Sequence, residues 1–311
     1  MRVPGHARFY GAQHSSQCAM MEITPLLVFL GLSLGFLVGV FAALSGTGGG
    51  SLNVPIFDAV LGIPFDVAQG TSSFVIFINS WSTNLAYYKQ KRVDYRSGAI
   101  LLAFSAPMAI VGALVSWWIA SFEQEGVEVG KTSLKIVFYI FIIFVGLRML
   151  FKKKADESKQ QELLASCESS KYIIPRKVTD CDGTCFEHAL NLKKIIPMTI
   201  LAGFLSGFFG IGGGLVQVPM FNQMCGMSIH LAVATSGFMI LFNSFTSTIT
   251  RISVGNVDLL VGILFSASSV IGAQLGARIA KGTSRPGLKK IIAIILIALS
   301  VYKIFSTIIN S

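Results

Sequence analysis

The sequence predicts an all-α integral membrane protein of two inverted-topology repeats. It would hold about 10 transmembrane helices, including broken or re-entrant half-helices. Three observations predict this. The composition is too apolar for a water-soluble globule, the apolar residues gather into runs of bilayer-spanning length, and the second half repeats the polar register of the first. Of 311 residues, 53% are hydrophobic and 13% charged, with a mean hydropathy of +0.68. A soluble domain carries about 25% charged residues, so roughly half the charge that covers a wet surface is missing. Disorder, collagen-like repeats, small disulfide scaffolds and ordinary cytosolic enzymes are excluded on that ground. The formal net charge is +10. Its basic residues cap apolar runs instead of forming a stripe, so they mark loops and no nucleic-acid partner. The lipid bilayer is the expected partner.

Taken in order, residues 1–22 are a polar N-terminal tail without the apolar stretch of a signal peptide. A first transmembrane repeat, 23–151, holds apolar runs at 23–44, 67–88, 97–121 and 134–151, plus a short piece at 52–62. Residues 152–194 carry nine Lys or Arg and seven Asp or Glu and read as a hydrophilic cytoplasmic linker. A second repeat, 195–311, has runs at 195–209, 228–250, 258–280 and 287–309, with its short piece at 215–226. A bilayer core of about 30 Å needs ~20 residues per helix, so the two short pieces are half-helices.

Shifting the chain by 164 places Gly46-Thr-Gly-Gly-Gly50 on Gly210-Ile-Gly-Gly-Gly214 without a gap. The same shift matches Val54-Pro55 with Val218-Pro219, Thr71-Ser72 with Thr235-Ser236, and Asn79-Ser80 with Asn243-Ser244. From 46 to 113, 23 of 68 aligned positions are identical. Greasy helices match by chance at Leu and Ile, not at Gly, Pro, Asn and Thr. The halves are copies.

Loop charge then predicts their orientation. Loop 89–96 is basic (Lys89, Lys91, Arg92, Arg96) and reads as cytoplasmic, whereas 122–133 is acidic (Glu123, Glu125, Glu128) and reads as outside. In the second copy the basic loop is instead 278–290, and 251–257 holds only Arg251. Opposite bias in matching loops predicts inversion, five crossings per repeat, and both termini outside.

The glycine clusters are the strongest local feature. Gly costs about 1 kcal/mol against Ala within a helix, so three in a row break one. Broken backbone at membrane depth lines a cavity or is buried in protein, and a helix restarting there aims free N–H groups at an anion. The other reading is close helix packing through small residues. Ser45, Thr47, Gly48, Gly49 and Gly50, with Gly210, Gly212, Gly213 and Gly214, are therefore candidate substrate-binding residues. Asn53 and Gln217 match across the repeat and lie beside the glycines. Thr71, Ser72 and Asn79, with Thr235, Ser236 and Asn243, add neutral hydroxyls and amides, which suit an oxyanion or interhelical hydrogen bonds alike.

Asp58, Asp66 and Arg251 lie near span ends and are expected to snorkel outward, while His230 is a candidate for proton coupling. In the linker, Cys181, Cys185 and His188 with Cys167 upstream lack standard zinc spacing, so reduced thiols and no metal are expected. No catalytic set is present, and neither an enzyme nor a cofactor is expected.

The paired Gly-x-Gly-Gly-Gly segments, each followed by Val-Pro-x-Phe and duplicated around a polar linker, resemble the sulfite exporter TauE/SafE family over residues 23–309. The resemblance implies a secondary transporter that exports a small sulfur-containing anion such as sulfite, sulfoacetate or another organosulfonate. A proton or sodium ion is the candidate coupling partner, the cell membrane is the expected location, and the oligomeric state is left open. The alternative is an anion channel of the same architecture.

Overall fold

The computed structural model describes residues 25–45, 49–122, 129–151, 173–179, 181, 185–279 and 286–309. Ten helices and one hairpin make up the described residues. The first half contains α1 (Pro25–Ser45), α2 (Gly50–Ala59), α3 (Phe65–Lys89), α4 (Tyr95–Ala120) and α5 (Val129–Phe151). Strands β1 (Ile173–Thr179) and β2 (Cys185–Asn191) follow. The second half contains α6 (Leu192–Phe209), α7 (Gly214–Met224), α8 (Ile229–Ser253), α9 (Leu259–Ile279) and α10 (Pro286–Ile309). The short pieces of the sequence are the short helices α2 and α7.

Five helices, α4, α5, α6, α8 and α9, are long and apolar enough to cross a membrane. Their outward faces carry large apolar side chains in the open, among them Trp118, Phe144, Leu201, Ile249 and Ile263. Water would not tolerate so many together; lipid does. The interior is unusually polar instead. Thr71, Ser72, Asn79, Ser97, Ser105, Thr199, Gln217, Thr235 and Asn243 are all at most 1% exposed. Most of these groups find hydrogen-bond partners inside the fold, several of them on other helices, whereas Gln217 finds none.

The helices pair crosswise between halves: α1 runs along α9 and α6 along α4, α3 packs on α8, and α5 on α10. Bonds at matching positions accompany this pairing. Thr71 Oγ1 accepts from the Asp258 backbone N–H at 3.0 Å, and Thr235 Oγ1 accepts from that of Asp94 at 3.1 Å. Asn79 Nδ2 donates to Ser269 Oγ at 2.6 Å, while Ser105 Oγ donates to Asn243 Oδ1 at 3.0 Å. Apolar packing completes the interior. One cluster joins Phe65, Phe138, Tyr139, Phe208 and Phe209; another joins Leu101, Ile195, Met220 and Phe221.

The hairpin is a feature that the hydrophilic reading of the linker does not anticipate. β1 and β2 pair antiparallel with Arg176 opposite His188. Ile174, Val178, Phe186 and Leu190 pack against the Leu101–Phe221 cluster, so this stretch rests on the helices and does not stand free in water. The Ala189 N–H donates to the Cys225 carbonyl at 3.2 Å and the Cys181 N–H to that of Gln90 at 3.4 Å. At its centre Asp94, the N-cap of α4, is buried between His188 Nε2 at 3.0 Å and Arg176 at 3.1 Å, and Ser97 donates to it from both backbone and hydroxyl. Burial works against the Asp94 charge, but the bonds from His188, Ser97 and Arg176 outweigh it and hold the carboxyl well below the usual range. His188 is thereby committed to Asp94 and buried, whereas Cys181 and Cys185 are exposed. Among the described residues no three metal-type side chains gather, and Cys167 lies outside them.

Candidate functional site

Both short helices start in the same unusual way. The residue before α2 is Gly49, with φ 80° and ψ −6°, and the residue before α7 is Gly213, with φ 79° and ψ −8°. Side chains other than Gly rarely adopt this left-handed conformation, so the glycine is what permits the sharp entry. Neither start is capped by a side chain, so the N–H groups at the very start lack a helical partner. Those of Leu52 and Val216 already donate to the Gly49 and Gly213 carbonyls at 3.0 and 3.1 Å. The two breaks also touch. A Cβ on Gly50 would collide with the backbone of Ile211. Ser72, from α3, donates to the Gly210 carbonyl at 2.8 Å and pins the second break to the first half.

One turn into each short helix stands an amide. Asn53 and Gln217 are fully buried, and among the described residues both polar atoms of each lack a hydrogen-bond partner. A buried unpaired amide costs about 1–3 kcal/mol per group, and native interiors leave few of them. Gln217 Nε2 lies 3.2 Å from where a Cβ on Gly213 would be, so amide and helix start share one space. Asn79 Oδ1 and Asn243 Nδ2 are likewise unpartnered on α3 and α8. Near Asn79 a small cavity is bounded by Ser80, Thr83, Tyr87 and Gly237.

The other predicted residues divide. Gly210 and Gly212 take positive φ, 68° and 75°, within the second break, and Gly214 begins α7. Thr71, Ser72 and Thr235 spend their hydroxyls inside the fold, as above, and Ser236 Oγ donates to the Val233 carbonyl at 2.9 Å. Ser45 ends α1; Thr47 and Gly48 lie outside the described residues.

The span-end charges do not snorkel. Asp58, 5% exposed, is held by Lys135 at 2.9 Å, Lys303 at 3.3 Å and the Tyr139 hydroxyl at 2.5 Å. Asp66 is also buried, with Lys131 at 4.0 Å. Arg251 is 1% exposed and turns inward to Gln69, Ser116 and the last turn of α6. A guanidinium needs several acceptors at once, and helix ends and amides inside the fold supply them where lipid does not. His230 alone is exposed, at the start of α8. Sequence reasoning took Arg251 for a snorkelling span-end charge and passed over its neighbour Gln69 and nearby Ser206; the signal was that Arg251 aligns with Tyr87, an uncharged residue.

The family model described as sulfite exporter TauE/SafE matches residues 31–303. The chain belongs to the sulfite exporter TauE/SafE family. It is a membrane transporter of that family. The probable membrane transporter protein YunE of Bacillus subtilis is 31% identical over 279 residues, covering 88% of this chain and 95% of its own. A probable membrane transporter protein of Xylella fastidiosa is 27% identical, covering 92% of this chain and 97% of its own. The sulfite exporter TauE/SafE family protein 6 of Arabidopsis thaliana is 23% identical, covering 84% and 75%. No solved structure matches the chain. The matched residues 31–303 span both glycine breaks and the short helices that follow them.

Proposed function

We propose that this TauE/SafE transporter is a secondary carrier that moves a small sulfur-containing anion, such as sulfite, sulfoacetate or another organosulfonate, out of the cell. It would sit in the cell membrane as a multi-pass protein of two inverted five-helix repeats, 23–151 and 195–311, joined by a cytoplasmic linker. The anion would bind between the starts of α2 and α7, with Asn53 and Gln217 donating to its oxygens and a proton or sodium ion as coupling partner. One observation carries the reading. Both short helices begin uncapped at left-handed glycines, and each has a fully buried amide with nothing to bond. Neutral donors at two helix starts can hold an oxyanion without trapping it. The family's description as sulfite exporters suggests the sulfur chemistry and the direction, and matching contacts 164 residues apart support the repeat.

Replacing both amides by Leu tests it. If the amides serve only the fold, removing buried unpaired groups raises stability and leaves ligand response alone. The proposal expects an unliganded melting temperature at or above wild type, together with loss of the stabilisation that sulfite or a sulfonate gives the purified wild-type protein. Undiminished stabilisation of the Asn53→Leu/Gln217→Leu variant would overturn the amide site. A wild type that no sulfur anion stabilises would overturn the substrate assignment.

A further inference from the structure

Arg251 is the largest fully buried side chain of the described residues. One terminal nitrogen makes all its bonds: to the carbonyls of Gly207 at 2.9 Å and Phe208 at 3.2 Å, to Gln69 Oε1 at 3.1 Å and to Ser116 Oγ at 3.4 Å. Every one of these acceptors is neutral. Among the described residues no carboxylate oxygen lies within 4.0 Å; the Asp66 charge, a turn from Gln69, reaches Arg251 from beyond that distance and also faces Lys131 at 4.0 Å. The carbonyls at the end of α6 and the more distant Asp66 carboxylate offset part of the charge, but a guanidinium enclosed in protein with no carboxylate in contact stays costly.

The first half shows that the tie itself needs no charge. Tyr87 stands at the matching position on α3, and its hydroxyl donates at 3.4 Å to the Ala43 carbonyl, which matches that of Gly207. A neutral phenol performs there the helix-joining task that Arg251 performs here. The positive charge is therefore an addition, and its unused donors point to what it adds. Arg251 Nε has no partner. Gln69 Oε1 accepts from both Arg251 and Ser116, which fixes the amide orientation and leaves Nε2 as a second unpartnered donor. Ser206 Oγ, next to Gly207, is unpartnered too. Two atoms that can only donate, beside a positive charge that touches no carboxylate, fit the oxygens of an anion.

This cluster joins the second break. The Gln69 carbonyl lies where a Cβ on Gly210 would be, and Ser206 Cβ is 3.3 Å from where one on Gly213 would be. It also lies far from the hairpin, since Gln69 and Gln90 stand at opposite ends of α3, about 30 Å apart at 1.5 Å per residue. We propose that Arg251, with Gln69 and Ser206, is the charge-recognition site for a small oxyanion at this end of the transport path, with no equivalent in the first half. The proposal rests on the reading of the protein as a small-anion carrier.

Two variants test it with sulfite titrated onto the purified protein. Arg251→Tyr installs the side chain that the first half uses, with its hydroxyl placed to donate to the Gly207 carbonyl. Gln69→Glu supplies an internal carboxylate to Arg251 and still accepts from Ser116. Both are expected to fold, with Gln69→Glu melting at or above wild type. Both are expected to bind sulfite roughly 10- to 100-fold more weakly, the loss of one or two charge-assisted bonds. Wild-type affinity in either folded variant overturns this site while leaving the carrier reading intact. Should wild type itself bind no sulfite, sulfate, thiosulfate or sulfonate, the carrier reading falls and the site with it.

Discussion

Matching positions in the two halves keep their hydrogen bonds and change their charges. Tyr87 and Arg251 reach equivalent carbonyls from equivalent places on α3 and α8, yet one is a phenol and the other a guanidinium. Asp58 and Asn222 repeat the contrast near the ends of the short helices. Asp58 gathers Lys135, Lys303 and Tyr139, whereas Asn222 Nδ2 makes one bond, to the Met227 carbonyl at 2.9 Å. The far end of α7 is secured by the hairpin instead, through the Cys225 carbonyl and the apolar cluster around Phe221. The matching segments therefore tolerate different anchors: glycine breaks and interhelical hydroxyls recur in both halves, while the charges differ. The first half holds its short helix by ion pairs; the second holds its own by packing.

That contrast breaks most sharply at Asp58. Removing one partner of a buried ion pair costs about 3–5 kcal/mol, and Asp58→Ala would strand two lysines. Asn222→Ala removes a single neutral bond worth about 1 kcal/mol. Thermal unfolding of the two purified variants should differ accordingly, and equal losses would mean that the two anchors do not differ.

The next effect concerns the hairpin. Asp94→Ala removes the buried carboxylate that His188 and Arg176 share, and the hairpin should lift from the helices. Cys225, 2% exposed beneath it, then becomes open to maleimide, while Cys181 and Cys185 react as before. Unchanged Cys225 labelling would show that apolar packing alone holds the hairpin. The pH dependence follows from the lowered Asp94 carboxyl. A carboxylate favoured in the fold contributes stability above the ordinary pKa of about 4 and loses it as pH falls through the lowered value. Hydrogen exchange of β1 and β2 should therefore show the Asp94 contribution intact at neutral pH, falling progressively below about pH 4 and gone in strong acid.

Smaller still are the glycine starts. Gly49→Ala places a Cβ 3.1 Å from Ala42 Cβ and Val38 Cγ1, and Gly213→Ala places one 3.0 Å from the Ala202 carbonyl. Both positions have positive φ, so strain of about 1–2 kcal/mol is expected in each, a drop of a few degrees in melting temperature. Both variants should lose sulfite-dependent stabilisation as well. A normal ligand response in both would reduce the breaks to packing devices.

How much of this was legible in the sequence depends on the range of the interaction. The breaks at Gly49 and Gly213 and the short helices after them follow from local glycine chemistry and run length, so they could be read directly. Asn53 and Gln217 were found because the repeat aligned them beside those breaks. The hairpin was missed: its alternating Ile174, Val178, Phe186 and Leu190 are few and lie within a charged stretch, and what they pack on is distant in sequence. Arg251 was misread for the same reason. Its acceptors Gln69, Ser116 and Gly207 come from three other helices, and only the tertiary fold shows that turning inward meets more acceptors than turning outward.

Counterflow in proteoliposomes tests the central claim most directly. Vesicles holding the purified protein are loaded with unlabelled sulfite, and uptake of labelled sulfite from outside is followed. A carrier with its site between the starts of α2 and α7 predicts transient accumulation of label above equilibrium in wild type, and none in Asn53→Leu/Gln217→Leu. Uptake that ignores the sulfite inside, or accumulation that persists in the double variant, would contradict it.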